Sequence, residues 1–303
     1  MAMQLTNRNT FLFSTAGVPV ATDVITTDNN VFVNPKSKSI EYKEIGNGAL
    51  GNSKTIVNND FVTADFTVDV NAKGSGAAGA TPSYGEILKA CGLTETITAS
   101  TDVTYTPASS FVSGTALAYL DDYKREVTGI AGTFTFGGKV GEIPKFSFAL
   151  KGFTTLAETL EANPSVTLDP NENLVIKSIT AVTVGGSSIE MEDFMFDFGV
   201  DIQEVYGTGG HKEYYISDYK PTLKVSAIKT KGNSAHWTEL NDNSQKSVVI
   251  TLGTVAGNII EFTAPFCQPT DVSESDENGK VKYDRTWACE NSAGGDNFSI
   301  VFK

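Results

Sequence analysis

Apolar and polar side chains alternate along much of this chain, which marks strands with one buried face. Phe66, Val68 and Val70 alternate with Asp65, Thr67 and Asp69. The same rule points Ile130, Phe134 and Phe136 inward against Thr133 and Thr135, then Phe146, Phe148 and Leu150 inward against Lys145, Ser147 and Lys151. In the second half, one strand over 191–202 is predicted to bury Phe194, Phe196, Phe198, Val200 and Ile202 and to expose Asp193, Asp197 and Asp201. Gly137, Gly138 and Pro144, and later Gly185-Gly186, supply turns. Helical spacing is scarce. Tyr84, Ile87, Leu88 and Cys91 fall at i, i+3, i+4 and i+7, with Thr81 placed to cap, Pro82 at the first helical position and Gly92 where a left-handed C-cap belongs. A second short helix is expected over 234–240, around His236 and Trp237. The pattern predicts a mainly β fold.

The order of elements reads as a tandem duplication. Lys43-Glu44-Ile45-Gly46 is echoed by Gln203-Glu204-Val205-Tyr206-Gly207, and Asn59-Asp60-Phe61 by Ser217-Asp218-Tyr219. Each echo leads into a strand, a loop bearing Lys and Gly, a short helix and a β pair with a glycine turn. The expected organisation is an N-terminal arm or edge strands over 1–39, where Pro19 and Pro35 interrupt the apolar runs. A first β lobe over 40–153 follows, then a linker over 154–173 with Pro164, Pro170 and a helical turn near 156–160, and a second β lobe over 174–303. A strand is expected at 175–184 and an acidic hairpin loop at 271–280.

Charge and chemistry narrow the classes. The 303 residues hold 36 Asp and Glu against 23 Lys and Arg, a formal net charge of −13. Such a chain is a poor phosphate binder but offers surfaces that repel nucleic acid. Cys91, Cys267 and Cys289 form no C-x-x-C and imply no disulfide framework, which suits folding in a reducing cytoplasm. No run approaches the ~18 apolar residues of a spanning helix, and the first residues lack a signal-peptide pattern. A soluble protein made in the cytoplasm is expected.

Gly74-Ser75-Gly76-Ala77-Ala78-Gly79 matches G-x-G-x-x-G, yet Pro82 starts the helix three residues later, so the glycines read as a mobile loop and not a dinucleotide turn. Residues 132–139 miss the phosphate-loop pattern, with Gly138 where lysine belongs. Asp169, Asn171 and Asn173 start like a calcium loop, but Leu174 replaces its glycine. Asp276-Glu277-Asn278-Gly279 is a turn sequence first. His211 sits among glycines without a catalytic neighbour, and His236 is a packed or surface histidine. The expectation is no enzyme: catalytic residues none, cofactors none, metal ligands none. Two features remain. The acidic stripes of Asp65 and Asp69, and of Asp193, Asp197 and Asp201, suit the wall of an enclosed channel. Trp287, alternating with Tyr283 and Arg285, suits an exposed aromatic platform, which keeps open a β-sandwich surface adhesin or a carbohydrate-binding protein.

Thr81-Pro82-Ser83-Tyr84-Gly85-Glu86-Ile87-Leu88-Lys89-Ala90-Cys91-Gly92-Leu93 resembles the small-Pro-x-aromatic-x-x-Leu-Leu-x-Ala-Cys-Gly segment of tailed-bacteriophage tail tube (major tail) proteins. The preceding strand and its Gly/Ala loop match that family's layout; residues 234–240 copy the segment poorly, without Pro or Cys-Gly. The resemblance implies two tandem tail-tube-like β-sandwich or β-barrel lobes, each with a short flanking α-helix. It further implies rings of this chain, homotrimeric and pseudo-hexameric or homohexameric, stacked into a hollow tube in the virion. Phage DNA would pass through an acidic lumen without specific binding, and the other partners would be tape measure, tail terminator and tail-tip proteins. The loop at 71–80, disordered when free, would order against the next ring, and no membrane is involved.

Overall fold

The computed structural model describes residue 5 and residues 8–42, 54–177, 181–231 and 235–303. The first half comprises β1 (Asn9–Ser14), β2 (Val24–Ile25), β3 (Asn34–Tyr42), β4 (Lys54–Asn71), α1 (Gly85–Ala90), β5 (Leu93–Thr98), β6 (Asp102–Pro107), β7 (Gly114–Leu120), β8 (Tyr123–Lys139), β9 (Lys145–Phe153) and β10 (Thr159–Leu160). The second comprises β11 (Ala181–Val184), β12 (Ser187–Ser188), β13 (Met191–Asp197), β14 (Val200–Tyr206), β15 (Lys212–Tyr219) and β16 (Thr222–Ile228). It ends with α2 (Ala235–Asn241), β17 (Lys246–Val255), β18 (Asn258–Glu277), β19 (Lys280–Cys289) and β20 (Ser299–Phe302). The fold is mainly β, and every strand pairing is antiparallel.

Two long strands organise it. β8 pairs with β7 and β10 near its start and with β9 and β13 near its end. β18 pairs first with β17 and β20, then with β19. The result is a broad sheet ordered β3-β4-β9-β8-β13-β16-β19-β18, from which β8 and β18 cross into further ladders. Bulges in β8 at 128–131 and in β18 at 269–271 accompany the bends.

One apolar cluster runs through both halves, from Phe11, Phe66 and Tyr84 to Phe196, Trp287 and Phe302. At its centre Phe136 and Phe146 stack at 4.1 Å and 6°, and Phe134 touches Phe148 and Phe196 at 6.0 and 5.9 Å. The period-2 pattern held where both faces were plain. Phe66, Val68, Val70, Phe134, Phe136, Phe146, Phe148, Leu150, Phe194 and Phe196 are all buried.

Several expectations change. A tandem pair of separate lobes is not shown: β8 pairs with β13 and β6 with β20, so backbone ladders cross the expected linker. β1 is no edge, since β2 and β7 flank it and Phe11 to Phe13 are buried; an apolar triplet outweighs the nearby Pro19. The strand expected over 191–202 breaks at Gly199, whose φ of +61° turns the chain, and a Cβ there would meet the Lys220 carbonyl oxygen at 2.6 Å. Residues 156–160 form no helical turn, because β10 pairs with β8. Residues 271–277 are strand, leaving Asn278-Gly279 as a two-residue turn with both φ positive, the favoured hairpin geometry. Of the strand expected at 175–184, only β11 forms among the described residues. The echo at 43–46, residues 178–180 and Ser234 lie outside the described residues.

Candidate assembly surface

α1 sits where the apolar stripe sends it. Tyr84, Ile87, Leu88 and Cys91 are completely buried, and Tyr84 packs on Phe146 at 5.1 Å. The expected Thr81 cap is not made: the helix begins at Gly85 with Tyr84 as its cap residue. The Tyr84 hydroxyl instead donates to the Lys73 carbonyl at 2.9 Å, tying the helix to the loop before it, and burial pushes this phenol far up. A Cβ on Gly85 would fall 2.3 Å from the Tyr105 hydroxyl, so a larger residue here would have to displace that ring. Glu86 reaches Thr15 beyond the end of β1 and Lys89 on its own helix. Partial burial raises its carboxyl, but those bonds outweigh burial and hold it below the usual range.

The glycine loop is not free. The Gly76 amide donates to the Gly257 carbonyl at 2.8 Å and the Gly74 amide to Asn258 Oδ1 at 2.9 Å. A Cβ on Gly74 would meet Gly257 O at 2.3 Å. Gly74 and Gly76 therefore permit close docking on the β17–β18 turn, and their amides are spent on it. This corrects the mobile loop expected from the small side chains. The neighbouring calcium-like segment is likewise engaged: Lys73 Nζ donates to the Asp169 carbonyl at 3.4 Å, and the Asn171 amide to Asp169 Oδ1 at 2.9 Å. Among the described residues no group of His, Cys, Asp and Glu is placed to hold a metal, and no helix is long and apolar enough to cross a membrane.

The aromatic platform is absent from its expected place. Trp287 is fully buried with Arg285 4.6 Å over its ring, and Tyr283 is buried beside it. His236, also buried, stacks on Tyr283 at 4.6 Å and bonds Glu274 at 2.9 Å. His211 is exposed in the β14–β15 turn, 3.8 Å from Glu213.

What the surface does offer is a sheet face, unpaired edges and two ribbons. Of the aspartates expected on the face, Asp65 and Asp193 are answered by lysines. Asp69 accepts from the Ser147 hydroxyl, Asp197 accepts from the Gly199 amide, and Asp201 stands apart on the β14–β15 ribbon. Further lysine–carboxylate pairs lie beside them. Lys36 pairs with Asp65 at 2.8 Å, Lys145 with Asp28 at 2.5 Å and Lys224 with Asp284 at 3.6 Å. Lys282 lies 3.4 Å from both Glu192 and Asp193. Cross-strand neighbours of opposite sign explain what a one-dimensional stripe hid. Before Thr63, β4 pairs only with β3 among the described residues, so residues 38–42 and 54–58 form a two-stranded ribbon. It exposes Ile40, Tyr42, Ile56 and Val57. The second ribbon, β14–β15, is covered: Tyr214 stacks on Phe153 at 4.6 Å, and Tyr206 meets Phe61 of β4 at 4.5 Å. Nothing in the sequence alone told the covered ribbon from the bare one. No protein-family model matches the sequence, and no curated protein matches it.

Proposed function

We propose that the chain is the major tail tube subunit of a tailed bacteriophage, and that three copies close into a ring of pseudo-sixfold symmetry. The observation that carries this reading is a pairing pattern that occurs twice. In the first half β1 pairs with β2 and β7, β7 with β8, β8 with β9 and β10, and β9 with β4. In the second, β11 pairs with β12 and β17, β17 with β18, β18 with β19 and β20, and β19 with β16. α1 follows β4 as α2 follows β16. A duplicated lobe, fused edge to edge, accounts for both patterns.

The join inside the chain is then a template for the join between chains. Inside, β8 receives β13, and the ribbon that continues from β13 lies over Phe153 at the end of β9. The matching edge of β18, at 271–277, has β19 on one side and no other strand among the described residues. The matching ribbon, β3 with the start of β4, has its apolar residues bare. A second copy satisfies both, since strand addition pairs the open edge and covers the ribbon, and a head-to-tail contact closes when its rotation permits.

Stacked rings give a hollow tube for DNA. Lysines of the broad face that are already paired with carboxylates leave little to grip phosphate, and the overall charge of −13 keeps nucleic acid at arm's length. The acidic lumen becomes, on this reading, a charge-paired wall in an acidic particle. The role is structural, with no catalysis or cofactor, the location is the virion, and tape measure, tail terminator and tip proteins are the further partners.

Negative-stain electron microscopy of tag-free protein over a range of concentrations tests this. Rings or tubes showing three two-lobed subunits end-on are expected. Six single-lobed subunits would overturn the trimer, and a monomer at every concentration, with or without a tail-tip extract, would overturn the tube.

A further inference from the structure

We propose that Cys267 and Cys289 form a dithiol site that closes into an intrachain disulfide between β18 and β19. The two residues stand directly opposite in the antiparallel ladder. The Glu290 amide donates to the Phe266 carbonyl at 2.8 Å, while the Cys289 amide is used on the other side, by the Pro221 carbonyl at 2.9 Å. Residues 266 and 290 thus belong to a hydrogen-bonded pair. Cys267 and Cys289, one step along, are a non-hydrogen-bonded pair, because the two kinds alternate. At such pairs the Cα atoms lie about 4.5 Å apart and the side chains lean together, inside the range of about 4.4–6.8 Å that disulfides span.

The surroundings agree. The adjoining Cys267 side chain, together with burial, pushes the Cys289 thiol upward, while the Cys267 thiol itself donates to the Ala264 carbonyl at 3.5 Å. Both side chains belong to the main core. The third cysteine, Cys91, lies at the end of α1, where a Cβ on Gly132 of β8 would meet its sulfur at 3.1 Å. Position gives the pair its consequence. Cys267 faces Lys246 of β17 as well as Cys289 of β19, so it marks the point where β18 passes from one ladder to the other. A bond there pins the crossover, and Asn297 Nδ2, donating to the Cys289 carbonyl at 3.0 Å, holds the following loop against it.

A low-molecular-weight disulfide such as oxidised glutathione supplies the oxidant. One protein thiolate attacks a sulfur of the reagent and expels one glutathione thiolate, leaving a mixed disulfide. The second thiolate attacks the protein sulfur of that mixed disulfide and expels the other. Two protein thiols lose two protons and two electrons, and the reagent's S–S bond is reduced to two thiols. Burial disfavours the thiolate, so the first exchange proceeds through transient opening of the hairpin and speeds up in mild urea.

The test uses the full chain, treated with oxidised glutathione in buffer and in urea below the unfolding midpoint. Iodoacetamide labelling under denaturing conditions and peptide mapping follow. The expected map shows Cys91 alkylated alone and the Cys267 peptide joined to the Cys289 peptide. The expected thermal midpoint rises by several degrees on oxidation and falls back with dithiothreitol, since the closed loop restricts the unfolded chain. Cys91→Ser keeps the crosslink. Alkylation of all three cysteines after oxidation in urea, or any intrachain link to Cys91, overturns the proposal. The wild-type map decides without a variant, so misfolding of a Cys267→Ser chain does not shield the idea. None of this depends on the tube reading.

Discussion

α1 and α2 follow matching strands in the two halves of the chain, and they are held by opposite means. α1 presents Tyr84, Ile87 and Leu88 to a wall of phenylalanines, all completely buried. α2 presents His236, Trp237 and Glu239 to a polar network. Glu274 accepts from Lys229 and Trp237 at 2.6 Å and contacts His236 at 2.9 Å, while Arg285, only 4% exposed, pairs with Glu239. Packing of the first kind is indifferent to pH and tolerant of small shifts. The second kind fixes geometry through directed bonds but costs desolvation, and it fails when one member is lost. The same scaffold therefore carries one helix set by shape and one set by charge.

The largest blow to the first kind is Phe146→Ala. Phe146 touches Phe136, Phe134, Phe148 and Tyr84, and such a truncation costs about 3–5 kcal/mol. Urea unfolding followed by circular dichroism reads it. A loss under about 1 kcal/mol would mean that the ring cluster does not hold α1.

Glu239→Gln tests the second kind. It leaves the Arg285 guanidinium buried without its carboxylate, and Glu239 itself keeps 18% exposure. A cost of about 2–3 kcal/mol is expected, below the ~3–5 of a fully buried pair. The double change Glu239→Leu with Arg285→Met should recover most of that, as apolar replacement of buried pairs often does. A harmless Glu239→Gln would erase the contrast between the helices.

Much of this was legible in the sequence, for a physical reason. α1 and the strands at 66–70, 146–150 and 194–196 announce themselves because a period of 3.6 or 2 records which face meets the core. α2 announced itself weakly, since its partners Glu274, Tyr283 and Arg285 come from a distant hairpin and are charged or amphipathic. Alternation there looked like an exposed platform at Trp287. The docked glycine loop, the bare ribbon and the facing cysteines were hidden for a related reason. Each depends on a partner further along the chain: Gly257 for Gly74, Ile56 for Ile40, Cys289 for Cys267. Local pattern fixes faces, but which strands become neighbours is decided by register.

The mildest probe is acid. Hydrogen bonds from Lys229, then His236 and Trp237, hold the Glu274 carboxyl down at about 2, against an ordinary value of 4.5. A carboxyl lowered in the folded state stabilises it above the unfolded value, and that contribution fades as pH falls from about 4.5 towards about 2. The indole N–H of Trp237, which donates to this carboxylate at 2.6 Å, is the reporter. Its NMR resonance should follow the folded-state carboxyl and move as pH approaches about 2, while the resonance of buried Trp287 stays put until global unfolding. Local loosening of α2 should show in faster amide exchange at 235–241, with the amides of α1 unchanged, because no carboxylate of that strength clamps Tyr84 or Leu88. In Glu274→Gln the Trp237 transition should vanish. If the transition survives that substitution, or if α1 loosens in step with α2, charge is not what distinguishes the two helices, and the polar network beneath α2 is ordinary core filling.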